Sequence, residues 1–345
     1  MPHTVNVAVV GLGSVGQAVA RLLLQTPHVK VVGAADPAPA NAGRDLGTAL
    51  GLPRRLRIKV DDDPERFIRK LKADIAIVCT SSILEEVKPQ ILGLASRRIR
   101  VLTTCEELAF PVPPRVTAAR EIDRVARSKK VAVLAAGLNP GFAMDALALM
   151  LTAPCTAVRR VSVTRVQDAG TRRLPLQRRV GAGLSLTQFR RAVTEGTVRH
   201  VGLVESAHMI ASALGWKLER VDETLEPAIA PRDLDTEHLR VAAGAAAGIH
   251  QSARGFRDGE LAVSLDLQVY VGAEAPRDHV LIDAEPPVDA TISGGICGEV
   301  AAAAILVNTI PRLMAAPPGL VKTTDLPLVH ALNPQDLIPA TTRRR

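Results

Sequence analysis

Residues 5–16, VNVAVVGLGSVG, decide the fold of this chain, because a short apolar strand runs into Gly11, Gly13 and Gly16 and opens a helix. In such a turn the first glycine permits the bend, the second removes the side chain that would block a phosphate, and the third lets the helix lie close on its strand. The first helical residues, Ser14 and Val15, present free N–H groups to an anion. The stretch therefore predicts a βαβ unit that binds the pyrophosphate of a dinucleotide.

A carboxylate stands where the ribose of such a ligand is expected. The second strand, Val29 to Ala35, ends in Asp36, which lies 20 residues beyond Gly16. A carboxylate there accepts the two ribose hydroxyls of NAD and repels the 2′-phosphate of NADP. Arg44 is a nearby cation that can accommodate a 2′-phosphate, so NAD is expected and NADP stays possible. An ordinary glycine turn with a solvated Asp36 is the alternative.

The composition limits the class of protein. A chain of 345 residues exceeds what one core usually supports, which predicts two domains. The formal charge of +8 is spread along the chain as arginine pairs, apart from the run Arg343–Arg345, and only 2% of the residues are aromatic. Because bases need a concentrated basic patch and aromatic stacking partners, no nucleic-acid partner is expected.

The cysteines and the apolar segments indicate the compartment. Cys79, Cys105, Cys155 and Cys297 show no CxxC spacing, which favours free thiols in a reducing cytosol and no metal site. The sequence enters its first strand without a charged and then apolar leader, and no apolar run reaches the length of a membrane span. We therefore expect a cytoplasmic protein with no membrane partner.

Polar residues follow an apolar run at the expected carboxyl edge of the sheet, where open α/β folds bind ligands. The run Ala73–Cys79 is followed by Thr80, Ser81 and Ser82, which can contact a nicotinamide. An alternative remains open, because Ser82 with Glu85 matches a capping box that starts a helix.

Two adjacent carboxylates follow the next predicted strand, Ile99–Thr103. Glu106 and Glu107 can do acid/base work if one of them is desolvated enough to titrate near neutrality. The alternative is that both are exposed acids in a loop.

A turn at residues 137–141 ends the last predicted strand of this sheet. Within it, Asn139 beside Pro140 offers both a donor and an acceptor to a ligand. We therefore expect this turn to contact the substrate.

From about Phe142 the pattern changes to alternating β-like runs with two helical segments between them. A final apolar helix, Val300–Ile310, is expected to be buried on every side and to pack on the first domain. The fold class is therefore α/β, with an N-terminal doubly wound Rossmann sheet, an α+β substrate and dimerisation domain, and a C-terminal helix that returns to the Rossmann domain. The predicted domains are residues 1–141, completed by 297–345, and residues 142–296. The runs are Arg159–Val166, Glu219–Ile229, Glu260–Val271 and His279–Ala284, and the helical segments are Thr187–Glu195 and Val204–Leu214.

Four segments carry a resemblance to a known family. They are TCEEL at 104–108, GLNPGF at 137–142, RVQDAGTRRLPLQ at 165–177 and RHVGL at 199–203. Over nearly its whole length the chain resembles 2,4-diaminopentanoate dehydrogenases and native amine dehydrogenases, which are related in fold to dihydrodipicolinate reductases and homoserine dehydrogenases. The chain departs from the family pattern at Gly170, where serine is expected.

The resemblance implies NAD(P)-dependent oxidative deamination of 2,4-diaminopentanoate or a small amine, reversible as reductive amination of a ketone or aldehyde with ammonia. It implies that a glutamate at the strand end handles the amine proton. The homoserine dehydrogenase pattern, with a lysine after the same strand, favours Glu106 over Glu107 for this role. Arg165, Gln167 and Arg172 are expected to line the substrate cleft, where an arginine can bind a carboxylate. Ion pairs at the surface or at a subunit interface are the alternative for these arginines.

The remaining expectations concern single residues, assembly and competing functions. Asn308 on the C-terminal helix is expected to contact the cofactor. His200 and His250 are expected to be structural or to relay a proton, and a homodimer is expected.

One competing function is a reductase or dehydrogenase of the dihydrodipicolinate reductase or homoserine dehydrogenase kind, although no lysine follows Thr104. The other is a non-catalytic nicotinamide sensor, for which the basic tail Arg343–Arg345 is the only support.

Overall fold

The fold is taken from a computed structural model that describes residues 4–332. The described residues form two compact units. The first unit holds the residues up to Gly141 together with those from Cys297 onward, and the second unit is Phe142–Ile296. The basic tail Arg343–Arg345 lies outside the described residues.

Helices and strands alternate in the first unit, whereas strands dominate the second. The first unit begins with β1 (Val5–Val10), α1 (Ser14–Leu23), β2 (Val29–Ala35), α2 (Leu46–Ala49), β3 (Val60–Asp61), α3 (Pro64–Lys70), β4 (Ile75–Val78), α4 (Leu84–Ser96), β5 (Arg100–Thr103), α5 (Val116–Lys129) and β6 (Ala132–Ala135). The second unit contains α6 (Ala146–Leu151), β7 (Ala157–Asp168), α7 (Leu174–Arg179), α8 (Leu186–Thr194), α9 (Leu203–Ala213), β8 (Arg220–Ile229), β9 (Leu234–Asp235), β10 (Arg240–Val241), β11 (Ala246–Arg257), β12 (Glu260–Tyr270), β13 (Arg277–Glu285) and β14 (Val288–Ser293). The chain then returns to the first unit with α10 (Gly298–Ala315) and β15 (Gly319–Val321).

The first unit is built on a seven-stranded parallel sheet with the order β15-β6-β5-β4-β1-β2-β3. The chain adds β2 and β3 on one side of β1 and then crosses to add β4 on the other side, so the strand order reverses at β1. Open α/β sheets bind ligands at such a point, outside the carboxyl ends of the strands. The predicted Rossmann sheet is confirmed. Its topology brings the ends of β1, β4 and β5, and the polar residues that follow them, to one edge.

The helix α10 belongs to the core of the first unit. Its residues Leu306 and Ile310 pack in the same buried cluster as Val9 and Val19, and the helix lies against α1. The expectation of burial on every side was wrong, because Val300 in the first turn is 68% exposed. The helix has the length and mean hydropathy of a membrane span, 18 residues and 1.2, so the expectation that no apolar run reaches that length was also wrong. Its packing against α1 is that of a core helix.

The second unit is built on a mixed six-stranded sheet with the order β14-β13-β7-β12-β11-β8. The pair β7 and β12 is parallel, and the other neighbours in this sheet are antiparallel. One face carries α9, whose Ile210 packs with Val163, Leu265 and Val280 in a buried cluster. A smaller cluster around the buried ring of Phe189 lies beneath α8. The expected mixed sheet with helices on a face is confirmed.

Several strands were not among the predicted runs, including β9, β10, β14 and β15. The long strand β11 was not predicted, because its segment AAGIHQSARGFR is rich in alanine and glycine, which have low strand propensity. It forms because it pairs along almost its whole length with both β8 and β12, a tertiary constraint that no local pattern reveals.

The packing of α10 yields a matched pair of predictions. Leu306→Ala should lower the free energy of unfolding by about 2–5 kcal/mol, because the side chain is fully buried and its removal leaves a cavity. Val300→Ala on the same helix should change it by less than about 0.5 kcal/mol, because Val300 is exposed. Chemical denaturation of both variants measures this. Equal losses would contradict the burial pattern of the helix.

Candidate active site

The glycine turn after β1 is shaped by two close backbone contacts. Gly11 has a positive φ of 89°, and a Cβ there would lie 2.7 Å from the carbonyl oxygen of Cys79. A Cβ on Gly16 would lie 1.9 Å from the carbonyl oxygen of Gly11, so only glycine lets α1 approach the turn this closely. A Cβ on Gly13, in contrast, would meet no atom within 4 Å. Gly13 therefore faces open space, where a ligand can approach the backbone.

The N-terminus of α1 is open to an anion. Gly13 is the N-cap and supplies no side-chain hydrogen bond, and the first turn contains no acidic residue. The first helical backbone bond runs from the Gln17 N–H to the Gly13 carbonyl at 2.9 Å, which leaves the N–H groups of Ser14, Val15 and Gly16 outside the helical ladder. These groups and the positive end of the helix dipole fit the pyrophosphate of a dinucleotide.

Asp36 holds the glycine turn against the loop after β2. Its carboxylate accepts hydrogen bonds from the Leu12 N–H at 2.5 Å, the Ala38 N–H at 2.8 Å and the amide nitrogen of Asn41 at 3.2 Å. The same amide nitrogen also donates to the Leu12 carbonyl. A carboxylate offers about four acceptor positions, so about one is left for a ribose hydroxyl, where two hydroxyls were expected. The sequence analysis did not single out Asn41, which completes this arrangement.

Two further predicted cofactor residues lie in different surroundings. Arg44 is exposed and forms no ion pair with a described residue, so its guanidinium is accessible to a 2′-phosphate. Asn308 is half-buried on α10, and its side-chain oxygen accepts the Leu332 N–H at 3.0 Å. That bond ties α10 to the segment after it. The contact of Asn308 with a cofactor, like that of Arg44, stays a prediction.

The polar segment after β4 is held by hydrogen bonds to α4. The hydroxyl of Thr80 donates to the side-chain oxygen of Gln90 at 2.9 Å, and the hydroxyl of Ser81 donates to a carboxylate oxygen of Glu86 at 2.5 Å. Ser82 is half-buried, and its carbonyl accepts the Glu107 N–H at 3.3 Å. The segment therefore lies at the carboxyl edge as expected, and the hydroxyls of Thr80 and Ser81 are oriented by α4.

The capping box predicted for Ser82 and Glu85 is wrong. The helix α4 begins at Leu84, its N-cap is Ile83, and no N-cap side chain bonds to it. Instead, a carboxylate oxygen of Glu107 accepts the Leu84 N–H at 2.8 Å, across 23 residues of sequence. A local motif was expected to satisfy the free N–H groups of this helix, but a long-range contact satisfies one of them.

Both carboxylate oxygens of Glu107 are bonded to other residues of the protein. It is only 4% exposed, and its second carboxylate oxygen pairs with the guanidinium of Arg115 at 2.6 Å. The two bonds fix the short 3₁₀ turn Glu106–Leu108 against α4 and against the start of α5. A buried carboxylate that is bonded to both a cation and a backbone donor is fixed in one position, which gives Glu107 a structural role.

Glu106 occupies the first position of that 3₁₀ turn, directly beyond the end of β5. Its side chain is half-buried and lies near two thiols. Burial, with the negative charge of Glu106 in addition, raises the pKa of the Cys79 thiol to about 12 and that of the Cys105 thiol to about 12. Both cysteines therefore remain protonated at neutral pH and are not nucleophiles. Glu106 follows β5, which is separated from β1 only by β4 in the parallel sheet, so Glu106 and the glycine turn lie at the same carboxyl edge.

The turn that carries Asn139 contains a hydrogen-bond acceptor that has no donor among the described residues. The side-chain oxygen of Asn139 is buried and has no hydrogen-bond partner among residues 4–332. Gly141 closes the turn with a positive φ of 124°, and a Cβ there would lie 2.7 Å from the backbone of Gly137. A buried acceptor without a partner is costly unless a ligand supplies a donor, so this oxygen fits an N–H group of a substrate or cofactor. Pro140 next to it is buried.

Arg165 lies in the second unit and has partners other than a substrate. It is 3% exposed, one of its terminal nitrogens pairs with Asp278 at 2.6 Å, and the other donates to the Ile296 carbonyl at 2.6 Å. Asp278 in turn accepts the Ile296 N–H at 2.7 Å. The buried ion pair anchors the end of the segment after β14, and a role of Arg165 in binding a substrate carboxylate stays a prediction.

Gln167 and Arg172 lie beside this pair. Gln167 is on the same face of β7 as Arg165, two residues along, and its side-chain oxygen accepts from Arg172 at 3.2 Å. Its amide nitrogen donates to the Val166 carbonyl at 3.0 Å and lies close to Gly295. Arg172 is half-buried. A role of either residue in substrate binding stays a prediction.

The fold and the glycine turn define the class of this protein as a Rossmann-type NAD(P)-dependent oxidoreductase. Its residues 5–89 match the family model of the N-terminus of dihydrodipicolinate reductase. Residues 142–338 match the model of the 2,4-diaminopentanoate dehydrogenase C-terminal domain. The chain is 32% identical over 339 residues to a 2,4-diaminopentanoate dehydrogenase of Acetoanaerobium sticklandii, a match that covers 95% of each chain. The chain therefore belongs to the 2,4-diaminopentanoate dehydrogenase family.

More distant relatives agree with this assignment. An amine dehydrogenase of Streptomyces virginiae is 22% identical, with 95% of this chain and 98% of the relative covered. The solved structure of an amine dehydrogenase from Mycobacterium smegmatis superposes with a TM-score of 0.84 at 23% identity, over 96% of this chain and 98% of that chain, and shows the same fold. The resemblance inferred from the sequence is confirmed, and so are the fold class and the NAD(P)-dependent dehydrogenase class.

The glycine turn yields a prediction on cofactor binding. Gly13→Val should abolish NADH binding while the unfolding midpoint stays close to that of the wild type, because the new side chain enters open space that the pyrophosphate needs. Titration by NADH fluorescence and a thermal melt measure the two effects. Ser14→Ala, which keeps the backbone N–H, is the matched control and should bind NADH normally. Binding by Gly13→Val at wild-type strength would remove the pyrophosphate from this turn.

Proposed function

We propose that this protein catalyses the reversible oxidative deamination of a small amine, with 2,4-diaminopentanoate as the first substrate to test. The observation that carries the proposal is the position of two adjacent carboxylates: Glu107 is buried and bound to Leu84 and Arg115, and Glu106 lies half-buried in the same 3₁₀ turn, which follows β5 at the carboxyl edge of the parallel sheet. A proton-transfer group next to a nicotinamide site is what deamination needs. The names of the relatives, 2,4-diaminopentanoate dehydrogenase and amine dehydrogenase, support the same chemistry.

The overall reaction sets the tasks of the side chains. A substrate ammonium, NAD⁺ and water give a ketone, ammonium ion, NADH and a proton. NAD, when bound, accepts a hydride from the carbon that carries nitrogen. Glu106 first binds the ammonium group and takes a proton from it, and later passes a proton from the water that attacks the imine carbon. Asn139, whose oxygen lacks a partner in the described part of the chain, orients an N–H group of the reactants.

The preference between NAD and NADP depends on the charged residues that follow β2. Asp36 carries a negative charge next to the ribose position, which favours NAD, and the exposed Arg44 keeps NADP as a possible cofactor. Because Asp36 also holds Leu12 and Asn41, its loss disturbs the glycine turn itself and weakens the binding of both cofactors.

A competing oxidoreductase chemistry has less support. Activity on an alcohol of the homoserine dehydrogenase kind relies in the related pattern on a lysine after this strand, and this chain has Cys105 and Glu106 there. The likeness of the first unit to dihydrodipicolinate reductase is explained by the shared nucleotide fold. We therefore place amine chemistry first.

Assembly and compartment are part of the proposal. We infer a cytoplasmic homodimer whose contacts come from the second unit. Leu281 supports it, because this apolar residue is 39% exposed in the middle of β13, on the sheet face opposite α9. Its four cysteines, all free among the described residues, agree with a reducing compartment.

The test of the function is ammonia dependence. NADH consumption with 2-amino-4-oxopentanoate should require ammonia, because the proposed reverse reaction forms an amine from a ketone. The same ketone without ammonia should give no turnover. Equal rates with and without ammonia would indicate an alcohol dehydrogenase instead, and no rate with either cofactor across small ketones would argue against the enzyme assignment.

The two glutamates give a second prediction. Glu106→Gln should lower kcat by about two to four powers of ten with NADH binding intact, the range for loss of a positioned acid or base. Glu107→Gln should retain most of kcat but lower the unfolding midpoint, because it weakens the bonds to Leu84 and Arg115. Steady-state kinetics and thermal melts of both variants measure this. A dead Glu107→Gln beside an active Glu106→Gln would reverse the assignment.

A further inference from the structure

Two turns of the first unit repeat one short dibasic motif. The segment SRRI at residues 96–99 ends α4, and the segment SKKV at residues 128–131 ends α5. Each turn leads into a strand, β5 or β6, and these strands are parallel neighbours in which Val101 lies opposite Val133. That register has the same offset in sequence as the two motifs, so the sheet places the two turns side by side. They lie at the amino edge of the strands, whereas the glycine turn lies at the carboxyl edge.

Both turns close their helix in the same way. In each, a residue with left-handed backbone donates its N–H to the carbonyl three residues back, and the next residue donates to the carbonyl five residues back. This is the Schellman arrangement, in which glycine usually takes the left-handed position because it has no Cβ. Here that position is Arg98, with a φ of 62°, and Lys130, with a φ of 57°. A long cation therefore replaces the favoured glycine in both turns, at a cost in backbone strain.

The two turns line one cavity of about 330 Å³, a size within the range of small-molecule sites. Four of its lining residues are cations and none is acidic. Arg127, also on α5, pairs with Asp123, but none of the four cations of the cavity forms an ion pair with a residue in the range 4–332. The lining residues are Arg98, Arg100, Ser128, Lys129, Lys130 and Val131.

Compensation of the helix dipoles does not account for this cluster. A cation in the last turn of a helix is stabilised by the negative end of the dipole, which explains Lys129 on α5. Arg100 is different, because it begins β5, is half-buried and still lines the cavity. Four like charges around one cavity repel each other, and a bound anion would remove that repulsion.

We propose that this cavity binds a short polyphosphate chain, free or carried by a nucleotide, at a site separate from the cofactor. The guanidiniums of Arg98 and Arg100 can each bind two phosphate oxygens, and the ammonium groups of Lys129 and Lys130 add compact charges. A chain fits better than a single phosphate, because the cations come from two neighbouring turns that the ligand must bridge. Val131 is the one apolar residue of the lining and no aromatic side chain is part of it, so the phosphates are recognised and a base is not.

The test is calorimetric titration of the full chain with tripolyphosphate in saturating NADH, which keeps the glycine turn occupied. The wild type should bind, and Arg98→Gly/Lys130→Gly should raise Kd at least about tenfold, since two charged contacts are lost. The unfolding midpoint of this variant should stay the same or rise, because glycine suits a positive φ. A lower midpoint with an unchanged Kd would make the two cations structural and overturn the inference.

Arg120 and Arg124 supply the matched control. Both are exposed on α5 and neither lines the cavity, so Arg120→Ala/Arg124→Ala removes the same charge and should bind tripolyphosphate as the wild type does. An equal loss in the two double variants would show attraction by net charge alone and overturn the site. No binding of tripolyphosphate to the wild type would overturn it outright.

Two further ligands define the chemistry of the site. Inorganic phosphate should bind at least about tenfold more weakly than tripolyphosphate, since it cannot bridge the two turns, and equal affinity would contradict a polyphosphate site. ATP, again with NADH saturating, identifies the source. An affinity equal to that of tripolyphosphate supports recognition of the phosphate chain alone, and tighter binding that Arg98→Gly/Lys130→Gly abolishes supports a nucleotide as its carrier.

Discussion

The carboxylate of Glu107 is the contact on which the arrangement of the candidate site depends. It joins the turn after β5 to the first N–H of α4 and to Arg115, so that three elements meet at one buried charge. Removing one partner of a buried charge costs more than an ordinary contact, because the charge left behind is desolvated. Glu106 and Glu107 share one short 3₁₀ turn after β5, so the bonds of Glu107 stabilise the segment that carries the half-buried carboxylate of Glu106.

The Rossmann sheet could be predicted because its signals are local. Gly11 and Gly16 are required by contacts within the first βα turn, and short apolar runs bounded by polar residues mark the parallel strands. The strand β11 could not be predicted, because its alanine-rich sequence adopts the extended form only between β8 and β12. The predicted capping of α4 was wrong for a related reason. Ser82 and Glu85 match a local capping motif, but the first N–H group of the helix donates to Glu107, which comes from the loop after the next strand.

The sequence predicted where the candidate site residues lie in the fold better than it predicted what each of them does. The sequence put Asp36, Glu106, Glu107 and Arg165 at strand ends or on one strand, and the structure has them there. Their roles depend on partners far away in sequence: Asp278 lies 113 residues from Arg165, and Gln251 lies 51 residues from His200. Residue type alone cannot tell a guanidinium that is bound inside the protein from one that is accessible to a ligand.

Asn139 and Arg165 show how the surroundings of a polar side chain decide whether it can meet a ligand. The side-chain oxygen of Asn139 is buried without a partner among residues 4–332, so a donor from a ligand would satisfy it. The guanidinium of Arg165 is buried as well, but it is paired with Asp278 and bonded to the Ile296 carbonyl, so its burial is compensated within the second unit. A buried polar group therefore indicates a ligand only where the fold itself leaves that group unsatisfied, and this can be read from the structure but not from residue type.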